Sequence, residues 1–144
     1  MQRLTFERDF DLPADQVFEF FAEHENLDPM FGAKVTRLSD GDDGSRNGVG
    51  SCRRLQIGPS PGFEETVTAI ETNRLIDYRV TKGSPLKNHL GELRFTEIPG
   101  GTHLQWRISF DTTLPGLDRL LAAVLRRRIS QALSQADIAA LSSA

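Results

Sequence analysis

The sequence predicts an α+β domain in which a mostly antiparallel sheet is closed by one C-terminal helix. Two observations predict this fold class. After a short strand and an amphipathic helix, the chain runs through a series of strands separated by Gly and Pro residues. A single long helix, from about Leu117 to Ala140, follows them. The apolar face of such a sheet must be covered, so any space that the helix leaves unfilled would form a cavity.

The first third of the chain predicts one strand and two short helices. Residues 4–10 alternate between apolar and polar types, which is typical of a strand. Pro13 suits the first turn of a helix, and an apolar stripe continues from there to Phe21. A second short helix carries Leu27, Met30 and Phe31 and ends at Gly32.

The middle of the chain predicts six further strands, each bounded by turn residues. A polar loop over residues 39–48 and a Gly-Pro-Ser-Pro-Gly turn at residues 58–62 are the clearest boundaries. The predicted strands cover residues 35–38, 49–57, 63–69, 76–80, 89–95 and 104–110.

The turns also predict how the strands pair. If each turn joins neighbouring antiparallel strands with their apolar residues on one face, Arg53 lies opposite Glu65 and Val80 lies beside Glu65. Val80 also neighbours His89, and His89 in turn faces Phe110. We therefore expect one row across the inner face of the sheet that contains three ionisable side chains.

The terminal helix has a broad apolar stripe when its residues are placed at about 100° intervals. Arg128 falls within this stripe, whereas Arg126 and Arg127 fall outside it. Several small residues in the stripe would leave space beside the sheet. Its members are Leu117, Leu121, Val124, Leu125, Ala132, Ala136 and Ala139.

Composition predicts a single globular domain over residues 1–144, with 38% hydrophobic and 26% charged residues and a net charge of −3. No basic block supports nucleic-acid binding. The single cysteine, Cys52, excludes an intramolecular disulfide and a cysteine-based zinc cluster. The start lacks the apolar core of a signal peptide, and no run is long enough to span a membrane. We therefore expect a cytoplasmic protein.

Three residues of the predicted row are candidates for chemistry. Arg53 and Glu65 form either a structural ion pair or a polar anchor, in which Arg53 binds a ligand carboxylate or phenolate and Glu65 acts as a base. His89 is either a structural residue or the group that transfers a proton. We expect His24 and His103 to be exposed at the surface and without a role.

Aromatic and aliphatic residues are candidates for the wall of the cavity, namely Phe18, Phe63, Val67, Tyr78, Leu93, Trp106, Leu121 and Leu125. Arg128 either extends along the helix into solvent or binds an anion. The acidic loop 40–44 lacks the late glutamate of a calcium site and is expected to be a solvated turn. The sequence shows no motif for a metal, a cofactor or nucleophilic catalysis.

Several segments resemble the START/Bet v 1-like (SRPBCC) helix-grip superfamily, specifically its polyketide cyclase/dehydrase-like branch. They are residues 10–21 (FDLPADQVFEFF), residues 48–51 (GVGS), residues 101–106 (GTHLQW) and the closing helix. The resemblance implies a seven-stranded antiparallel sheet wrapped around the C-terminal helix, with two short helices between the first two strands. Phe31 stands where this branch often has a tryptophan near the pocket mouth.

The resemblance implies that the partner is a small hydrophobic or aromatic molecule, such as a lipid, a polyketide or a quinone-like compound, held between sheet and helix without a cofactor. An alternative is a cyclase or dehydratase in which His89 or Glu65 is the general base and Arg53 stabilises an enolate. A protein-interaction module and a homodimer also remain open. The candidate ligand-binding residues are Arg53, Phe63, Glu65, Tyr78, His89, Leu93, Trp106, Leu121, Leu125 and Arg128.

Overall fold

A computed structural model describes residues 1–56, 58–59, 62–136 and 138. It has the predicted helix-grip fold, with one seven-stranded antiparallel sheet, two short helices after the first strand and one long helix after the last. The strands lie in the order β1-β7-β6-β5-β4-β3-β2. They are β1 (Gln2–Phe10), β2 (Lys34–Ser39), β3 (Cys52–Gln56), β4 (Phe63–Glu71), β5 (Leu75–Lys82), β6 (Leu86–Ile98) and β7 (Gly101–Thr112).

The sheet has one buried and one solvent-facing side because its longer strands alternate between apolar and polar residues. In β7, for example, Leu104, Trp106, Ile108 and Phe110 are buried, whereas Arg107 between them is exposed. The inner face forms the core together with the helices. None of the helices in the described part of the chain is long and apolar enough to cross a membrane.

Two short helices close one end of the sheet. Helix α1 (Ala14–Ala22) begins directly after Pro13, and Phe18 on its buried face packs edge-on against Phe95 of β6, with ring centroids 5.5 Å apart. A 3₁₀ turn (His24–Asn26) leads into α2 (Leu27–Phe31). This second helix ends at Gly32, whose left-handed φ of 64° favours glycine.

The long helix α3 (Leu117–Gln135) packs mainly against β1, β7 and α2. Its deeply buried residues include Ala122, Ile129 and Leu133, which the predicted apolar stripe omitted. Val124 of that stripe is 44% exposed. Leu121 and Leu125 of that stripe are half-buried, pack against the edge of the core and also line a space beside the sheet. Residues 137, 139 and 140 of the predicted helix lie outside the described residues.

The predicted strand register is confirmed over most of the inner row. Arg53 pairs with Glu65, and Glu65 pairs with Val80. The prediction that His89 faces Phe110 holds only as part of a bulge, because the register shifts between Lys87 and Leu90 and Asn88 and His89 together lie opposite Phe110. This β-bulge contains Asn88, whose φ of 51° is left-handed, and it removes His89 from the regular ladder.

Candidate functional site

A cavity of about 660 Å³ lies between the inner face of the sheet and α3. It exists because α3 lies mainly over the β1 and β7 side of the sheet, so that the strands on the other side are only partly covered. Its wall is predominantly apolar and includes Val67, Tyr78, Leu93 and Trp106 from four neighbouring strands. Cavities of this size and composition commonly hold a small organic molecule.

All ten candidate ligand-binding residues of the sequence analysis line this cavity. Whether they contact a ligand remains a prediction. Phe18 does not line it, because its ring packs on Phe95 in the core instead. Phe31 lies in the wall, with its ring centroid 5.9 Å from that of Trp106. Ile129 and residues 83–86 also line the cavity; the sequence does not predict this, because they face the cavity only once β5, β6 and α3 are assembled.

The polar end of the cavity contains an ion pair between neighbouring strands. Arg53 donates hydrogen bonds from Nε (3.0 Å) and Nη2 (2.8 Å), and both go to Oε1 of Glu65. The two side chains are only 8% and 11% exposed. Burying either charge alone would be strongly unfavourable, so each residue requires the other. The second carboxylate oxygen, Oε2, accepts no hydrogen bond from the described residues.

His89 lies beside this ion pair, and a backbone hydrogen bond determines its protonation. The N–H of Val80 donates to Nδ1 of His89 over 2.9 Å, so Nδ1 must carry a lone pair. Burial lowers the pKa of His89, which favours the neutral ring. The single ring proton is therefore on Nε2. In this state His89 is a hydrogen-bond donor toward the cavity, and its only basic nitrogen is occupied.

Tyr78 and Trp106 form a hydrogen-bonded pair in the wall. Nε1 of Trp106 donates to Oη of Tyr78 over 3.0 Å, and burial raises the pKa of Tyr78. The Tyr78 ring lies against Gly91 on the adjacent strand, where a Cβ atom would overlap the ring. Glycine at this position therefore allows the ring to lie flat on the sheet and sets the position of the hydroxyl group.

At the mouth of the cavity, Arg128 is exposed on α3, so its side chain extends into solvent at the edge of the wall. Asn47, from the polar loop between β2 and β3, also lines the cavity. Arg37 holds this loop in place by donating hydrogen bonds to Oδ1 of Asn47 (2.7 Å) and to Oε1 of Glu23 (2.8 Å) and Glu25 (2.8 Å). The sequence carries no local signal for this network, because its members come from three separate segments.

The expectation that His24 is exposed is wrong, since the residue is fully buried behind the polar loop. Ser51 donates its hydroxyl proton to the carbonyl of Gly48 (2.6 Å), so Nε2 of His24 must donate to Oγ of Ser51 (3.2 Å). Nδ1 then has no hydrogen-bond partner among the described residues. Burial, together with the charges of Arg53 and Arg37, lowers the pKa of His24 to about 3.

His103, in contrast, lies at the surface as expected, where Nδ1 and Nε2 contact Asp9 and Glu7. These carboxylates raise its pKa. The three histidines thus have different environments, and only His89 lines the cavity.

Comparison with known proteins identifies relatives of this architecture. The model of the family described as polyketide cyclase/dehydrase and lipid transport matches residues 1–141. No curated protein sequence matches the chain.

Solved structures share the fold at low sequence identity. The Zhui aromatase/cyclase from Streptomyces superposes with a TM-score of 0.74 at 21% identity, covering 92% of this chain and 89% of that one. A START superfamily protein from Mycobacterium smegmatis gives a TM-score of 0.74 at 18% identity, with coverages of 91% and 93%. Ara h 8.0201 gives 0.71 at 14% identity and covers 99% of both chains. At these identities the structures establish the fold alone.

Proposed function

The chain belongs to the polyketide cyclase/dehydrase and lipid transport family, and from this premise we propose that it binds a small hydrophobic or aromatic molecule between the sheet and α3. The observation that carries the proposal is the cavity of about 660 Å³, which the protein's own side chains leave unfilled. A packed core rarely has voids much larger than a water molecule, because empty space forfeits van der Waals contacts.

The wall explains how such a molecule would be held. Apolar side chains provide affinity as they and the ligand leave water, at roughly 25 cal/mol per Å² before the costs of association. The Arg53–Glu65 pair and His89 lie together at one end, so a ligand with one polar group would bind in a preferred orientation. Lipids, polyketides and quinone-like compounds all combine these two properties.

Titration with tetralin, a compact apolar hydrocarbon, tests the proposal. The chain has a single tryptophan, and its indole N–H donates to Tyr78 in the cavity wall. Because one indole signal reports on the site, we expect tetralin to shift this signal saturably in the proton–nitrogen correlation spectrum, with signals of the outer sheet face unchanged. Shifts spread evenly over the protein surface would contradict internal binding. So would an indole signal that does not shift when tetralin is near its solubility limit.

If the protein also catalyses a reaction of the cyclase or dehydratase type, the geometry favours Glu65 as the base. Its Oε2 accepts no hydrogen bond from the described residues, whereas Nδ1 of His89 is occupied by the N–H of Val80. His89 would then donate to a developing oxyanion. Binding is the function that the geometry supports best, because it requires only the cavity.

A further inference from the structure

Resting on the proposed function, we infer that the ligand is uncharged and carries a carbonyl-type oxygen, which accepts a hydrogen bond from Nε2–H of His89. This follows from an inventory of donors, acceptors and charges at the end of the cavity where Arg53, Glu65 and His89 lie.

The hydrogen bond between Val80 and His89 has only one possible direction. A backbone N–H can only donate, so the 2.9 Å contact from Val80 fixes Nδ1 of His89 as the acceptor. Arg79 anchors the same residue from the other side, since its Nη1 donates to the carbonyl of His89 over 3.2 Å. The ring is thus held on the sheet, and its Nε2–H donates to no acceptor among the described residues.

The Nε2–H group of His89 needs a hydrogen-bond acceptor. His89 is 6% exposed, so Nε2–H has little access to bulk water. When an apolar ligand displaces water from the cavity, a buried N–H without an acceptor is unfavourable. A ketone, quinone or ester oxygen satisfies it, whereas a hydrocarbon does not. The site therefore discriminates in favour of an acceptor oxygen, such as a carbonyl, over a hydrocarbon.

The charges of Arg53 and Glu65 at the polar end of the cavity balance each other. Arg53 is the cation of the polar end, but Glu65 already neutralises it through two hydrogen bonds to one carboxylate oxygen. The buried pair therefore carries no net charge. Among the described residues the other arginine of the wall is Arg128, which is exposed on α3. A ligand carboxylate at the polar end would therefore be desolvated beside Glu65 with Arg53 already paired. The site therefore disfavours acids and accepts neutral molecules.

Calorimetry on the full chain with three probes of nearly equal shape tests the preference for a neutral ligand with a carbonyl oxygen. The probes are α-tetralone, tetralin and the corresponding tetralin carboxylic acid. They present a carbonyl, a methylene group and a carboxylate on the same bicyclic frame. We expect α-tetralone to bind about tenfold more tightly than tetralin, and the acid to bind no more tightly than tetralin at neutral pH.

The His89→Phe variant tests whether the difference in affinity between α-tetralone and tetralin comes from Nε2 of His89, because phenylalanine retains a ring but lacks the N–H donor. We expect it to bind α-tetralone only as tightly as tetralin, with tetralin affinity equal to or higher than that of the unmodified protein, because no donor is left without an acceptor. His103→Phe, at the outer surface, is the matched control and should retain the tenfold preference. A preference for the ketone that persists in His89→Phe would overturn the inference, as would tightest binding of the acid.

A spectroscopic measurement on the unmodified protein tests the same hydrogen bond without depending on the folding of a variant. Long-range proton–nitrogen correlations of the His89 ring should show the proton on Nε2, and α-tetralone but not tetralin should shift that nitrogen. A proton on Nδ1 would overturn the inference. If tetralin and α-tetralone bind equally, only the ligand class is wrong; if none of the three probes binds, the proposed function itself fails.

Discussion

Replacing Leu121 and Leu125 together by tryptophan is expected to weaken the binding of tetralin and α-tetralone at least tenfold while the fold is retained. The two leucines lie one turn apart on α3, are half-buried and line the cavity. Two indoles projecting from the same positions would occupy the volume that a ligand needs. Calorimetric titration of the double variant measures the loss.

The stability of the same variant separates a cavity from an ordinary core. Over-filling a packed core usually lowers the free energy of unfolding by about 1–3 kcal/mol, whereas filling an empty cavity leaves it unchanged or raises it. We expect the second outcome in urea unfolding. Leu120→Trp is the matched control, because Leu120 is 61% exposed on another side of α3, and it should bind both probes normally. Unchanged probe binding in the double variant would contradict the proposed site.

Acidification is expected to destabilise the protein through His24. The pKa of this histidine is lowered from 6.5 to about 3 in the fold, so the neutral ring is the form that the folded state prefers. Unfolding below pH 6.5 therefore takes up a proton. The resulting stabilisation is fully present above pH 6.5 and is lost as the pH falls toward 3, by up to about 1.4 kcal/mol per pH unit.

The His24→Gln variant isolates this effect because glutamine can still donate to Ser51 but does not titrate. Between pH 6 and pH 4, we expect its unfolding free energy, measured in urea, to fall less steeply than that of the unmodified protein, by about 1 kcal/mol per pH unit. His103→Gln should not flatten the curve, since nearby carboxylates raise the pKa of His103 rather than lowering it. Parallel curves for the unmodified protein and His24→Gln would show that His24 is not buried as a neutral group.

The pairing of Arg53 with Glu65 illustrates what the sequence alone can predict. The alternation of residue types and the turn that joins their strands determine both the face and the register, and the structure has this pair as predicted. The placement of all ten candidate residues around one cavity follows from the same periodicity, since they share the inner face or the adjacent side of α3.

The features that were not predicted have one physical cause in common: they depend on tertiary contacts that leave no pattern in the local sequence. The bulge at Asn88 interrupts the regular pairing beside His89, and no residue in that strand breaks the alternation clearly enough to predict it. His24 is buried by the loop that Arg37 holds from another strand. The Val80 hydrogen bond that determines the tautomer of His89 likewise depends on atomic positions rather than on residue types.

Internal ligand binding requires an apolar space between the sheet and α3 that remains open in the folded protein. Diffraction from crystals under xenon pressure tests this most directly, because xenon enters apolar cavities without requiring a specific ligand. We predict xenon density enclosed by Tyr78, Trp106 and Leu121. Side chains packed across that volume, with no xenon inside the domain, would contradict the existence of this cavity.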